Sequence, residues 1–310
     1  MEFEHESVLL DEVIELMAPQ PGGVYCDATV GGGGHAEKVL EASSPDGRLI
    51  GVDRDPAAVK AARERLARFG DRVSIIHGRF SDLPALLAQV GVKSVDGLLV
   101  DFGVSSHQLD TAERGFSFMR VGPLDMRMNP TEGESAAMML ARLEEDELAD
   151  IIFNYGGERM SRPIARSIKQ AERDGLLHTT EDLALAVRRV TGRRPGRHID
   201  PSTRTFQAIR IAVNHELEEV ETLLGLLPEP LAVGGRVVII SFHSLEDRMV
   251  KQRFKALADP CVCPPGIPVC TCPTPVAEYV TRRAVRVAKD NIGKNPRARS
   301  ARIRAIRRIR

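Results

Sequence analysis

The stretch "CDATVGGGGH", Cys26–His35, places four consecutive glycines directly after a short run of strand-forming residues. Glycine lets the backbone pass close to a ligand, and the helix that starts after such a turn offers backbone N–H groups to it. We therefore predict a strand, a ligand-contacting turn and a helix in this order. A nucleotide-like cofactor is the natural occupant of the turn.

The rest of the first third of the chain repeats the strand–helix order. The predicted strands are "GVYCDATV", "GRLIGVD", "RVSIIHGRF" and "VDGLLVDFG", and amphipathic helical segments separate them. Alternation at this spacing is typical of a parallel sheet with helices on its faces. We therefore predict an α/β, Rossmann-like fold with a mostly parallel sheet.

The alternation breaks after Gly103, and strand character returns only at "GGRVVIISFHS". The intervening segment has helical periodicity, and its "TTEDLALAVRRVTG" has a capping pattern at Thr179 and a stop at Gly192. We predict a discontinuous domain, with residues 1–108 as its first part, 109–203 as an inserted helical domain for substrate recognition, and 204–310 as its second part, which ends in a basic C-terminal tail.

Charge and hydropathy narrow the class of protein. The 310 residues have a formal net charge of zero, which favours no class of partner, but lysine and arginine dominate from Thr281 to Arg310, where Asp290 is the single acid. No apolar run is long enough to span a membrane, and the acidic N-terminus lacks the features of a secretory signal. We expect a cytoplasmic protein with reduced cysteines.

The glycine turn fits two cofactor classes. The segment Gly31–Ala36 matches the dinucleotide fingerprint GxGxxA, whereas Asp27–Gly33 resembles the acid-rich first motif of S-adenosylmethionine-dependent methyltransferases. Asp53, at the end of the second strand, suits the ribose hydroxyls of either cofactor. Asp27 favours the methyl donor, because a carboxylate suits the ammonium of its amino acid and is poorly placed beside a pyrophosphate.

The third and fourth strands end in two further candidates. Phe80 is placed either to cover an adenine face or to pack in the core. Asp101 ends the fourth strand, and in open parallel sheets the ligand crevice lies outside the carboxyl ends of the strands. We therefore predict Asp101 as the catalytic, substrate-facing acid.

Seven motifs occur in order along nearly the whole chain, and together they resemble the bacterial ribosomal RNA small subunit methyltransferase H family, also called MraW. They are "HESVLLDEV", "DATVGGGGH", "VDRDP", "DFGVSSHQLDTAERGFSFMRVGPLDMRMNP", "TRTFQAIRIAVNHELEEV", "IISFHSLEDRMVK" and "NPRARSARIR". The resemblance implies a class I S-adenosylmethionine methyltransferase with an inserted helical domain. It also implies methylation of the exocyclic N(4) amine of a cytosine in the decoding centre of 16S ribosomal RNA.

Carried over residue by residue, the resemblance implies cofactor contacts at Gly33, Gly34, His35, Asp53, Phe80, Asp101 and Gln108. The implied partner is 16S rRNA within the small ribosomal subunit. Two arginine clusters are expected to bind its backbone, one at the end of the insertion (Arg188, Arg189, Arg193, Arg194, Arg197) and one in the tail (Arg297, Arg299, Arg302, Arg304). His243 and Ser244 either line the base pocket or serve a structural role.

Two other functions stay open at this point: a nicotinamide-dependent oxidoreductase, which GxGxxA permits, and a non-catalytic RNA-binding assembly factor. Near the C-terminus, a proline-rich loop holds two CxC pairs, formed by Cys261, Cys263, Cys270 and Cys272. Four clustered thiols in a reducing compartment indicate a tetrahedral zinc site, with a disulfide or plain thiols as alternatives. Cys26 reads as a small buried hydrophobe.

Overall fold

A computed structural model of the chain describes residues 8–192, 200–263, 269, 271–286 and 299–310. The chain divides into two compact units, one formed by Met1–Gly103 with Leu217–Arg310 and the other by Val104–Glu216. We call them the sheet unit and the helical unit. None of the helices described in these ranges is long and apolar enough to cross a membrane.

The described residues form strands and helices that alternate in the sheet unit. The strands are β1 (Val24–Asp27), β2 (Arg48–Asp53), β3 (Val73–His77), β4 (Val95–Asp101), β5 (Leu231–Ser241), β6 (Ala277–Tyr279), β7 (Val285–Arg286) and β8 (Arg302–Arg308). The helices are α1 (Leu10–Met17), α2 (Gly34–Ala42), α3 (Pro56–Leu66), α4 (Leu83–Gln89), α5 (Ser106–Asp110), α6 (Ala136–Arg142), α7 (Glu145–Gly156), α8 (Ser161–Arg173), α9 (Thr180–Thr191), α10 (Ser202–Asn214), α11 (Glu216–Leu226) and α12 (Ser244–Ala258).

One sheet organises the sheet unit, with strand order β3-β2-β1-β4-β5-β8-β6 and β7 paired with β8. Strands β1 to β5 run parallel to one another, and β8 runs antiparallel to β5 and β6. Strand β4 shows why both faces are covered. Leu98 and Val100 point into one apolar core, and Leu99 points into the other. The predicted α/β, Rossmann-like fold class is confirmed.

The strand order reverses at β1, which lies between β2 and β4. At such a point the connections leave the sheet toward opposite faces, and a crevice opens at the carboxyl ends of the strands. The last residues of β1, β2 and β4 are Asp27, Asp53 and Asp101. The topology therefore places three carboxyl groups at the edge where a ligand is expected, and we call them the acidic edge.

The prediction of a basic C-terminal tail differs from the structure at residues 302–308, which form strand β8 between β5 and β6. Ile303, Ala305 and Ile306 are buried in the core of the sheet unit. Ile303 and Ala305 pack in one core of the sheet unit and Ile306 in the other, so both faces of β8 are covered.

The helical unit has its own apolar core, to which α6, α7, α8, α9 and α10 contribute. Thr179 forms the predicted capping box before α9, and Gly192 follows the last residue of that helix. The division at Val104 and Glu216 differs from the predicted boundaries at 109 and 203. Helix α10 belongs to the helical unit because Phe206 and Ile209 pack in its core.

Candidate active site

The glycine turn has a backbone that only glycine adopts easily. Gly31 has φ +50° and Gly33 has φ +83°, in the left-handed region that L side chains rarely occupy. A Cβ on Gly33 would also lie 3.3 Å from Cγ of Leu66. Helix α2 begins at Gly34 with no side chain capping its first turn. The Gly33 N–H itself donates to the Val30 carbonyl over 2.8 Å, so the turn offers a ligand close approach to the backbone, with the uncapped first turn of α2 beyond it.

Hydrogen bonds fasten this turn to two neighbouring strands. The Gly31 N–H donates to Oδ2 of Asp53 over 2.8 Å, and the Asp55 N–H donates to Oδ1 of the same carboxylate over 2.8 Å. On the other side, the Asp101 N–H donates to Oγ1 of Thr29 over 2.7 Å. Asp53 and Asp101 are thus held beside the turn, as the sequence predicted from their positions at strand ends.

All three carboxyl groups of the acidic edge have raised pKa values. Removal from water is the main cause for each, and it raises the pKa of Asp27 to about 7, of Asp53 to about 6 and of Asp101 to about 7. Repulsion adds to it, because Asp101 and Asp53 act on Asp27, and Glu246 acts on Asp101. A cation placed in this crevice would relieve the repulsion, whereas a pyrophosphate would add to it.

Glu246 is a residue of this neighbourhood that sequence reasoning missed. It is buried at the start of α12, and its Oε2 accepts hydrogen bonds from the N–H groups of Phe242 (2.8 Å) and His243 (3.2 Å). His243 caps α12, and its Nε2 lies 3.0 Å from Oε1 of Glu246. This arrangement favours the structural reading of His243. His243 and Glu246 form a capping box in the structure, but histidine is not among the usual N-cap residues, so the pattern "HSLE" does not signal it in the sequence.

Phe80 packs against Phe102, with ring centroids 5.8 Å apart and an interplanar angle of 51°. It lies at the start of a short 3₁₀ turn, Phe80–Asp82, and is only partly buried against the core. One part of the ring is therefore committed to packing, and its contact with an adenine stays a prediction.

The other two predicted cofactor residues both form hydrogen bonds within the protein, and that of Gln108 follows the S-x-x-Q capping pattern of Ser105–Gln108. His35 is buried in the first turn of α2, and its Nε2 lies 3.0 Å from the carbonyl oxygen of Val8. Gln108 is buried in α5 of the helical unit, where its side-chain oxygen accepts the Ser105 N–H over 3.0 Å as half of a capping box. Their roles toward a cofactor stay predictions.

The arginines predicted to bind RNA fall into three groups. Arg193, Arg194, Arg197 and Arg297 lie outside the described residues. Arg189 and Arg299 are exposed. The remaining three form ion pairs, Arg188 with Asp200 at 2.7 Å, and Arg302 and Arg304 with Asp247 at 2.8 and 2.7 Å. Of the five described arginines in the two clusters, three are therefore neutralised within the protein.

The sequence is similar to a known family along nearly its whole length. The model of the MraW methylase family matches residues 2–309. A protein of Syntrophotalea carbinolica named "Ribosomal RNA small subunit methyltransferase H" is 50% identical over 99% of this chain and 98% of its own. Proteins of the same name are 51% identical in Trichlorobacter lovleyi, over 99% of both chains, and 50% identical in Anaeromyxobacter sp. (strain K), over 100% of this chain and 99% of that protein.

Proposed function

Because the chain belongs to the MraW methylase family, we propose that it transfers a methyl group from S-adenosylmethionine to the N(4) amine of a cytosine in 16S ribosomal RNA. The name of the relatives supports ribosomal RNA as the substrate class, since these proteins match this chain along nearly its whole length. The N(4) position and the decoding-centre location come from the family resemblance. The observation that carries the proposal is the acidic edge beside the glycine turn.

The residues of the edge fit the chemical groups of this donor. S-adenosylmethionine carries an ammonium, a sulfonium and a ribose with two hydroxyls, and it supplies an activated methyl group when bound. Asp27 suits the ammonium and Asp53 suits the ribose, while Gly33 and Gly34 have no side chains and allow close approach to the backbone. A dinucleotide fits less well, because its two phosphates would face three carboxyl groups.

Asp101 is the residue that we assign to the transferring step. A cytosine amine is a weak nucleophile, because its lone pair is delocalised into the ring. Its attack on the methyl carbon generates positive charge on nitrogen, and a carboxylate that accepts an N–H bond stabilises that charge and orients the amine. The ionised form of Asp101 accepts this bond more strongly than the neutral acid does. The proton leaves after the methyl group has moved, so a strong base is not needed.

The helical unit, with the exposed Arg189, is our candidate for recognising the RNA. The target cytosine must leave its stack to reach the sheet edge, as enzymes that modify bases require. Met119 and Val121 are 80% and 57% exposed on this unit, and such apolar side chains suit contact with unstacked bases. Cationic contacts to phosphates would make RNA affinity fall with added salt.

The product identifies the reaction. Purified protein would be incubated with labelled S-adenosylmethionine and with small subunits from cells that lack the family's enzyme, and the digested 16S rRNA analysed by mass spectrometry. We expect one methyl per rRNA on a single cytidine, with the fragmentation of an N(4) rather than a C5 or 2′-O product. Subunits from cells that carry the enzyme are the matched control and should accept almost no label.

Two outcomes would redirect the proposal. Label on a different atom of the same cytidine would remove the N(4) assignment and keep the methyltransferase. Binding of the small subunit without any transfer would favour the assembly-factor reading, and heat of binding with NAD but not with S-adenosylmethionine would favour the oxidoreductase.

A further inference from the structure

Three cysteines from two separate segments converge in the sheet unit. In the sequence they are far from the residues of the acidic edge. Cys261 and Cys263 follow the end of α12, and Cys272 precedes β6. One sulfur from each lies within 4.8 Å of the other two. The sulfurs of Cys263 and Cys272 lie 3.4 Å apart, which is well beyond the bond of about 2.0 Å in a disulfide.

Apolar packing does not account for this convergence. Val262, between the first two cysteines, is 86% exposed, and Val269 is 73% exposed. Cys261 is itself exposed, while Cys263 and Cys272 are half-buried. The valines of this loop face solvent, whereas its thiols converge. This arrangement is typical of a segment that is ordered by a bound ion rather than by an apolar core.

A backbone donor is directed at one of the three sulfurs. The Val262 N–H points at the sulfur of Cys272 over 3.4 Å. Such outer contacts orient metal ligands in proteins. The geometry therefore adds a contact of this kind to the three converging sulfurs.

We propose that Cys261, Cys263 and Cys272 bind one zinc ion that joins the end of α12 to the start of β6. Thiolates are soft ligands, and a set of sulfurs at this spacing suits tetrahedral Zn²⁺ with sulfur distances of about 2.3 Å. Binding releases the protons of the three thiols and involves no change of oxidation state. The sequence offers Cys270 as a further thiol, but that residue lies outside the described residues.

The role of this zinc is structural. Its ligands come from the ends of two elements of the sheet unit, and the Val276 N–H already donates to the Leu257 carbonyl over 3.0 Å between the same two segments. The ion would close the loop that this contact begins. It stands apart from the methyl-transfer proposal, so either can fail without the other.

Metal analysis of the full chain tests the proposal. The protein would be purified without added zinc and without chelators, and its metal content measured by inductively coupled plasma mass spectrometry. We expect about one zinc per chain, and Co²⁺ in its place should give the intense near-ultraviolet bands of thiolate coordination. Metal-free protein, or protein that holds iron instead, would overturn the assignment.

Variants locate the ion. Cys263→Ser and Cys272→Ser should each lower the zinc content at least several-fold, whereas Cys26→Ala, which changes the buried cysteine of β1, should keep it. If the serine variants do not fold, release of zinc from the wild-type chain by a mercurial reagent, followed with a colorimetric chelator, gives the same information. Retention of zinc after all three sulfurs are modified, or recovery of a Cys263–Cys272 disulfide from freshly purified protein, would refute the site.

Discussion

The three carboxyl groups of the acidic edge and the carboxylate of Asp247 all belong to the sheet unit, but their electrostatic surroundings are opposite. Burial alone would raise the pKa of Asp247, but hydrogen bonds from Arg304 and Arg302 outweigh burial and hold that pKa below its ordinary value. Burial raises the pKa of Asp101 to about 7, and the charge of Glu246 adds to it. Within the described parts of the chain, no ion pair neutralises Asp27 or Asp101.

The difference separates a carboxylate that stabilises the fold from one that is placed for a ligand. Asp247 ties α12 to β8 through two guanidinium groups, so its charge is balanced by the protein. The acidic edge keeps its charge at a cost in stability, and a cationic ligand is the partner that would offset this cost. Exchanging each carboxylate for its amide should therefore affect different properties.

The largest effect is expected from Asp101→Asn. Removing the acceptor for the cytosine amine should lower kcat roughly 100-fold or more, because a preorganised charge in the transition state is lost. The affinity for S-adenosylmethionine should change far less. Single-turnover methyl transfer to small subunits, together with calorimetry of the donor, measures both quantities. Normal transfer by this variant would remove Asp101 from the reacting step.

Asp247→Asn is the matched change at the other carboxylate. Because two charged hydrogen bonds are lost and two guanidiniums stay behind, we expect the free energy of unfolding to fall by about 2 kcal/mol. Urea denaturation measures it. Transfer per folded molecule should stay near the wild-type value. A variant as stable as wild type but slow in methyl transfer would reverse the roles that we assign to the two sites.

The variant Gly33→Ala tests whether the glycine turn contacts the donor or is only a left-handed turn. The backbone at φ +83° and the contact with Leu66 should cost about 1 kcal/mol of stability and weaken donor binding roughly tenfold. Gly157→Ala is the control, because Gly157 also has a left-handed φ, +62°, but ends α7 in open space. It should lose similar stability and bind the donor normally. Equal donor affinity in both variants would argue against a ligand at the turn.

The last expected difference between the two carboxylates is the pH dependence of the free energy of unfolding. An acid whose pKa is raised by folding destabilises the fold once it ionises, so its favourable contribution is lost as pH rises toward about 7. The stability of Asp101→Asn relative to wild type should therefore increase steadily between pH 5 and about pH 7 without donor, and level off above that. The corresponding difference for Asp247→Asn should stay constant, because the lowered pKa of Asp247 lies below this range. Parallel curves for the two variants would contradict the pKa assignment of Asp101.

Features that follow from local sequence patterns could be predicted, whereas most of those that depend on long-range contacts could not. Strand ends and glycine turns follow from local patterns, so the sheet and the positions of Asp53 and Asp101 could be predicted. Strand β8 could not, because its arginines resemble a solvated tail until Asp247 is brought beside them. The contact of His35 with Val8 could not be predicted, because no local pattern links the two residues. The contact of Gln108 with Ser105 could be, from the S-x-x-Q capping pattern.

Calorimetric titration of the protein with S-adenosylmethionine at pH 7, in two buffers of different ionisation enthalpy, tests the central claim most directly. A cation bound at an acidic edge with raised pKa values should lower those pKa values and release protons. We expect one binding site per chain and a net release of protons, which should shrink in Asp101→Asn. Absence of binding, or binding with no proton release from the wild-type protein, would contradict the account.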